Sequence, residues 1–390
     1  LRQGKEALLD FDLTKEQEMI RKEVRKFAES EIAPVAQELD EKEQFSVELT
    51  QKMGEIGLFG MFVSEEYGGQ GLDYISYIIA VEELARVDGS QAATVAADNS
   101  LGIGPLYYFG TEEQKKKYLP KLCEGKALWG FGLTEPTAGS DAGGSKTTAV
   151  KDGNEWVING SKIFITNAAC DMSLGVTVQA ITGKKANGKP DYTCFIVEHG
   201  TKGFKPVPMH KKMMWRASNT AELYFDDVRV PEKNILGKPG DGFHQMLKTL
   251  DGGRLSIGSM GLGGAQGAYE MALKYAKKRE QFGQPISKFQ ANAFKLADCA
   301  TELECARNLL YKACWLRSHK RPFETLAAMA KLYCSELMYR VANHAVQIHG
   351  GYGLMKEYNV ERFYRDQKLL DIGEGTSEVQ RIVISRYIGC

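Results

Sequence analysis

The chain has 390 residues, of which 43% are hydrophobic and 26% charged, a balance that excludes global disorder and allows two or three domains of about 150 residues each. Its 50 basic and 50 acidic residues leave a formal net charge of +0, so the basic excess of a general nucleic-acid binder is missing. The longest apolar stretch, Ile56 to Val63, is broken by two glycines and falls far short of the ~20 residues of a membrane-spanning helix, so no membrane insertion is expected.

Residues 1–130 read as a helical domain. The opening LRQGKEALLDFDLTKEQ holds no apolar signal core. Thr14 precedes KEQEMIRKEVRKFAESEI, in which Ile20, Val24, Phe27 and Ala28 fall on one stripe. Thr14 with Gln17 fits a capping box, and Thr111 with Gln114 fits a second. The glycines between Glu65 and Asp73 punctuate two helices.

Residues 131–240 change to a β pattern. Trp156 to Asn167 reads as two β-rich runs joined by an Asn159-Gly160 turn, a hairpin signal. Tyr192–Glu198 and Ala221–Val230 are further strands, and Gly183 to Lys189 is a loop. Helical periodicity returns over 241–390, from Phe243 to about Leu250, Leu255 to Glu280, Phe289 to Ser318 and Thr325 to His349, with a last helix after Gly375. Such lengths favour a bundle of long antiparallel helices. The predicted fold is mainly α with a central β domain.

The eight cysteines include no CxxC pair, which argues against a zinc ribbon or thioredoxin-type site. Free cysteines in helical apolar patterns suit a reducing compartment, a bacterial cytoplasm or a mitochondrial matrix rather than secretion. Three motifs are decoys. Gly261 to Gly267 suggests a dinucleotide turn, but no strand precedes it and small-residue helix packing explains it better. Gly139 to Thr147 breaks the phosphate-loop pattern, because Ser145 separates Gly144 from Lys146. His344 and His349 are five apart, off the spacing that puts both on one metal, and no metal is expected.

Phe131 to Asp141 (FGLTEPTAGSD) combines small residues, hydroxyls and turn formers, which let backbone N–H groups approach a polar ligand. Alone it reads equally as an interdomain loop. Three further segments make it specific: Arg279 to Gly283 (REQFG), Gln347 to Gly353 (QIHGGYG) and Gly373 to Arg381 (GEGTSEVQR). With these four in this order the chain resembles the acyl-CoA dehydrogenase family, flavoenzymes of fatty-acid and amino-acid breakdown, from the Asp12 region to Ile388.

The resemblance implies an N-terminal helical domain, a middle β-barrel-like domain and a C-terminal four-helix bundle, assembled as a homotetramer with FAD between subunits. It implies that Phe131, Leu133, Thr134, Gly139, Ser140, Phe164 and Thr166 flank the flavin and its ribityl chain. Arg279, Gln281, Phe282 and Gln290 would reach the pyrophosphate and adenosine of a neighbouring subunit's FAD. Gln347, Gly350 and Gly351 would close around it, and Thr376 and Glu378 would also face FAD. Asp251 and Arg254 match the stretch that contacts the CoA portion; Ser140, Gly373 and Gly375 would also border the substrate.

Glu374 matches the family's catalytic base, taking the α-proton of an acyl-CoA while the β-hydride passes to flavin N5. A carboxylate suits the task, because desolvation against the weakly acidic C–H strengthens it as a base. The growing enolate oxygen would be held by the base's own backbone N–H and a ribityl hydroxyl. Some relatives carry the base near Asp251 to Arg254, where this chain has Gly253. Many straight-chain relatives have Tyr before the base; here it is Gly373, as in the isovaleryl type. Either Gly373 suits the turn, or the missing ring opens space for a branched or alicyclic acyl group such as isovaleryl or cyclohexanecarboxyl. Asp98 falls where the family lines the acyl pocket, as a hydrogen-bonded structural group or as a second acid/base. Trp215 would reshape the pocket. No Arg stands near Ala92, which disfavours a dicarboxylic acyl group. The electron acceptor implied is an electron-transfer flavoprotein. The alternatives are a straight short-chain (butyryl-CoA) dehydrogenase, an oxidase or enoyl-CoA reductase on the same scaffold, or a non-catalytic acyl-CoA binder.

Overall fold

The computed structural model describes residues 12–390; the part of the opening segment before Asp12 lies outside the described residues. The chain runs as helices, then strands, then helices. The first helical part holds α1 (Lys15–Phe27), α2 (Ala36–Lys42), α3 (Val47–Glu55), α4 (Tyr74–Ala85), α5 (Gly89–Ala97), α6 (Gly104–Phe109) and α7 (Glu112–Cys123). Both predicted capping boxes form: Thr14 and Thr111 each accept from the N–H three residues on, and the Gln17 and Gln114 side chains close back on the cap N–H groups. Between α5 and α6 the helix does not stop but widens to π geometry over Asp98–Ile103, an irregularity that recurs at functional sites. Helix α4 is apolar all round and almost wholly buried, so it is sandwiched between layers rather than laid on a surface. Its two acids are paired rather than solvated: Glu82 with Arg307 at 3.0 Å and Glu83 with Arg25 at 2.8 Å.

The strands are β1 (Leu128–Gly132), β2 (Thr148–Asp152), β3 (Glu155–Thr166), β4 (Ser173–Lys184), β5 (Pro190–Glu198), β6 (Phe204–Pro208), β7 (Thr220–Pro231) and β8 (Ile235–Leu236). They form one sheet in the order β6-β7-β3-β2-β4-β5-β8, with β1 parallel to β4. The expected hairpin at Asn159-Gly160 is corrected. That dipeptide lies inside β3 at a bulge, where the register against β7 shifts. A Cβ on Gly160 would fall 2.6 Å from Thr147 Oγ1, so glycine serves close strand approach there. The tight turn is Gly153-Asn154, joining β2 to β3 beyond the Asp152–Glu155 pair.

The last part holds α8 (Gly242–Lys278), a short ribbon of β9 (Glu280–Gln281) and β10 (Gln284–Pro285), α9 (Gln290–Ser318), α10 (Glu324–His349), α11 (Val360–Leu370) and α12 (Ser377–Tyr387). The two segments expected between Phe243 and Glu280 are one helix, and α11 was not foreseen. Helix α8 runs on through Gly252 and Gly253, and the side chains of Arg317 and Glu374 occupy the space that a Cβ would take there. The glycines from 261 to 267 bring backbones together: a Cβ at Gly263 would lie 2.2 Å from the Glu82 carbonyl oxygen and one at Gly267 2.1 Å from that of Arg86. One core joins both helical parts and β1, and a second lies within the sheet. All eight cysteines are free, and among the described residues no helix is long and apolar enough to cross a membrane.

Candidate active site

The turn between α11 and α12 is tight. Gly373 N–H donates to the Leu369 carbonyl at 2.7 Å and Ser377 N–H to that of Asp371 at 2.9 Å. Thr376 caps α12, its hydroxyl accepting from Val379 N–H at 3.2 Å. Inside this turn Glu374 takes a left-handed φ of 53°, a conformation a non-glycine residue holds only when its surroundings impose it. The strain aims its carboxyl group at α8. Oε2 is sealed from solvent without a hydrogen-bond partner, and a Cβ on Gly253 would stand 1.7 Å from it. The space left by Gly253 is thus occupied by the Glu374 carboxylate. Burial pushes this carboxyl group up to about 7, opposed by the charges of Lys331 and Arg254.

Around it, Arg254 pairs with Asp251 at 2.6 Å, and Arg254 Nε is buried without a partner. Burial raises the Asp251 carboxyl group, against the pull of Arg254. Ser256 Oγ donates to the Gly253 carbonyl at 2.8 Å and Tyr74 OH to that of Gly252 at 3.2 Å. The Arg317 guanidinium stacks 4.0 Å above the Tyr74 ring and fills the space over Gly252. Gly373 has no positive φ, and a Cβ there would meet only Leu369, at 3.4 Å or more. The turn therefore does not require glycine.

Sequence reasoning missed Lys331 and Gln380. Lys331 Nζ and Gln380 Nε2 each donate to the Gly375 carbonyl at 2.8 Å. A lysine amid the apolar positions of α10 was the available signal. It also missed Lys162, wholly buried on β3 and paired with Glu135 at 2.8 Å. Glu135 in turn accepts from the N–H groups of Lys146 at 2.6 Å and Thr147 at 3.0 Å. This pair fixes the loop that carries Thr134, Gly139 and Ser140.

Phe131 and Leu133 are buried in and just after β1, while Gly139 and Ser140 are exposed. Phe164 has a φ of 62° and turns an aromatic ring outward, 63% exposed. It stands on β3 two residues before Thr166, which pairs with Thr220 of β7. A second group lies elsewhere. Arg279, Gln281, Phe282 and Gln290 sit on and around the β9–β10 ribbon, all exposed, with Phe282 at 94%. The Arg279 guanidinium lies 6.0 Å from the Tyr352 ring, next to Gly350 and Gly351 and close in sequence to Gln347. Arg279 follows Gly253 by about 26 residues of helix, or about 39 Å. One chain therefore does not bring this group to Glu374. Thr376 and the exposed Glu378 flank the start of α12.

Two further residues that the sequence placed at the acyl pocket lie in the core. Asp98 does not face Glu374: it is fully buried, its Oδ1 accepting from Trp129 N–H at 2.7 Å, and burial raises its carboxyl group well above the usual range. Oδ1 thus ties the π turn to β1, while Oδ2 is buried without a hydrogen-bond partner. Trp215 is likewise in the core, its backbone N–H donating to Asp366 Oδ1 at 2.8 Å and its ring against Gly89. Among the described residues no cluster of His, Cys, Asp and Glu could hold a metal.

Comparison with known proteins covers the whole architecture. Residues 14–126 match the acyl-CoA dehydrogenase N-terminal domain, 130–228 the middle domain and 240–389 the C-terminal domain. A probable acyl-CoA dehydrogenase of Bacillus subtilis is 54% identical over 97% of this chain and 100% of its own length. The solved butyryl-CoA dehydrogenase from Megasphaera elsdenii superposes with a TM-score of 0.94 at 44% identity, covering 97% of this chain and all of that one. A chain solved in work on the electron transferring flavoprotein of Acidaminococcus fermentans superposes with a TM-score of 0.94 at 46% identity, covering 98% of this chain and all of that one.

Proposed function

Because the chain belongs to the acyl-CoA dehydrogenase family, flavin-dependent oxidoreductases acting on acyl-CoA, we propose that Glu374 is the base that takes the α-proton of a short, branched or alicyclic acyl-CoA. The observation that carries this reading is the sealed, unpartnered Oε2 of Glu374 above Gly253. A carboxylate stripped of water and of hydrogen bonds has a lone pair free for a substrate proton, and a basicity matched to neutral pH. The Glu374 backbone N–H would hold the thioester oxygen as its charge grows. Asp251 and Arg254 would position the CoA chain, with Ser140 and Gly375 at its borders.

The residues present fit FAD. The exposed Phe164 ring, the hydroxyls of Thr134, Ser140 and Thr166, and the uncrowded Gly139 suit a planar ring and its polyol. When bound, the flavin supplies the hydride acceptor. The bare Phe282 with Arg279, Gln281 and Gln290, and the open backbone at Gly350 and Gly351 beside Gln347, suit a nucleotide. Their distance from Glu374 within one chain supports cofactor sites completed by a second copy; the homotetramer rests on the resemblance to the family. The superposition with a chain from work on an electron transferring flavoprotein supports such a protein as electron acceptor. Eight free cysteines suit a bacterial cytoplasm or mitochondrial matrix.

The branched or alicyclic preference rests on Gly373. Neither φ nor crowding asks for glycine there, so the glycine is read as leaving room for the acyl group next to the base. A second reading, straight-chain butyryl-CoA, is favoured by the 44% identity to the Megasphaera elsdenii enzyme. Anaerobic titration of the yellow protein with butyryl-, isovaleryl- and cyclohexanecarboxyl-CoA, followed by loss of flavin absorbance, tests both. Bleaching mainly by the branched or cyclic thioester is expected. Bleaching mainly by butyryl-CoA sinks the pocket argument, and a colourless protein sinks the whole reading.

A further inference from the structure

The chain buries two lysine ammonium groups that differ in one respect. Lys162 makes a direct ion pair, Nζ to Glu135 at 2.8 Å. Lys331 of α10, also with no exposed surface, has no carboxylate oxygen within 4.0 Å among the described residues; its donor bond goes to the Gly375 carbonyl at 2.8 Å. That carbonyl belongs to the residue after Glu374, which has its own buried and unpartnered Oε2. Each is the other's strongest charged neighbour.

We propose that Lys331 is a positioning residue for the base: its ammonium group ties down the Glu374-Gly375 turn and serves as a held-off countercharge that keeps the Glu374 carboxylate ionised while leaving its lone pairs free. This rests on the reading of Glu374 as the base. The physical argument is a comparison of two ways to bury a carboxylate. A direct hydrogen bond, as at Glu135, stabilises the anion but occupies the lone pair that must take the proton. No countercharge at all would leave the carboxyl group protonated at neutral pH. A cation bonded to the neighbouring carbonyl lowers the proton affinity by its field alone. The groups facing Lys331 are Glu374, Asp371 and Glu378 from the turn and the ends of α11 and α12, with Arg254 from α8. Burial lowers the Lys331 ammonium to about 8 against the pull of Glu374 and Asp371, so it remains largely charged at pH 7. Gln380 donates to the same carbonyl without charge, which separates anchoring from field.

The test uses the holoenzyme and its Lys331→Met, Lys331→Arg, Gln380→Met and Glu374→Gln variants, with kcat and KM for isovaleryl- and butyryl-CoA measured from pH 5.5 to about 9.5. Lys331→Met should move the rising limb of kcat upward by about one pH unit, losing roughly tenfold at pH 6 and recovering toward pH 9. Lys331→Arg should keep the limb near its original pH. Gln380→Met should lower kcat at every pH without moving the limb. A limb that stays in place in Lys331→Met overturns the proposal, as does an equal, pH-independent loss in Lys331→Met and Gln380→Met. Stability provides a second readout by a double-mutant cycle in denaturant. At pH 8.5, Glu374→Gln should stabilise the Lys331→Met protein by more than it stabilises the parent, because the carboxylate there has lost its countercharge; equal effects in the two backgrounds overturn the countercharge. If Glu374→Gln retains its rate, the base reading itself fails. If it is inactive while the Lys331→Met limb is unmoved, only the role of Lys331 fails.

Discussion

Replacing Glu374 by Gln should inactivate the enzyme and stabilise it at the same time. Gln is nearly isosteric, so the side chain can stay above Gly253 without its charge. The carboxyl group stands at about 7 against an ordinary 4.5, with burial as the leading cause. Folding thus favours the protonated form. The stability this contributes is complete below about pH 4.5 and is lost as the pH rises through about 7, because a buried anion must then be carried. The rise corresponds to at most about 3.4 kcal/mol at alkaline pH, an upper order-of-magnitude figure because Oε2 is sealed while the residue as a whole is half-buried. Gln at this position carries no such charge. Denaturant titrations at pH 5 and pH 8.5 should show little difference between the proteins at the lower pH and a more stable variant, by roughly 2–3 kcal/mol, at the higher one. Stopped-flow bleaching by isovaleryl- or butyryl-CoA should fall by at least about 10³-fold, with FAD content unchanged. A variant that still bleaches at the wild-type rate, or one whose relative stability does not change with pH, would refute the account of a desolvated base.

Gly373→Tyr should fold normally, since its Cβ meets only Leu369 at ordinary contact distance. It should lower kcat/KM for isovaleryl-CoA relative to butyryl-CoA by at least about tenfold, the worth of one misfitted methyl group; an unchanged ratio in steady-state assays would show that this position does not line the acyl site. Asp98→Asn should leave kcat within about twofold, because its contact is the Trp129 N–H and an amide oxygen can accept the same bond; a loss of 10² or more would return Asp98 to the chemistry. Glu135→Gln should lower stability by about 3–5 kcal/mol, since it strands the wholly buried Lys162 ammonium. Thermal unfolding monitored by circular dichroism would reveal it, and an unchanged midpoint at neutral pH would contradict the ion-pair reading.

Much was legible in the chain itself. The capping boxes at Thr14 and Thr111 formed because they are local: a hydroxyl, an N–H three residues away and a glutamine side chain are all within one helical turn. The α, β, α order followed from hydrophobic periodicity, and the four motifs pointed to the family. The errors came where a local signal had two uses. Asn159-Gly160 is a bulge because β3 runs on past it to pair with β7; the dipeptide alone cannot tell a turn from a close approach. The segments expected to end near Leu250 and restart at Leu255 are one helix, and Arg317 and Glu374 from distant parts of the chain occupy the space beside Gly252 and Gly253.

The sequence by itself thus determined the elements, their order and the kind of carboxylate the chemistry calls for, because those depend on contacts within a few residues. The tertiary structure alone decided which acid meets α8 at Gly253, which lysine stands beside it, and that Asp98 Oδ1 binds β1 at Trp129. Desolvation and electric fields are set by what packs around a group, and residues 253, 331 and 374 become neighbours only when α8, α10 and the α11–α12 turn are folded together.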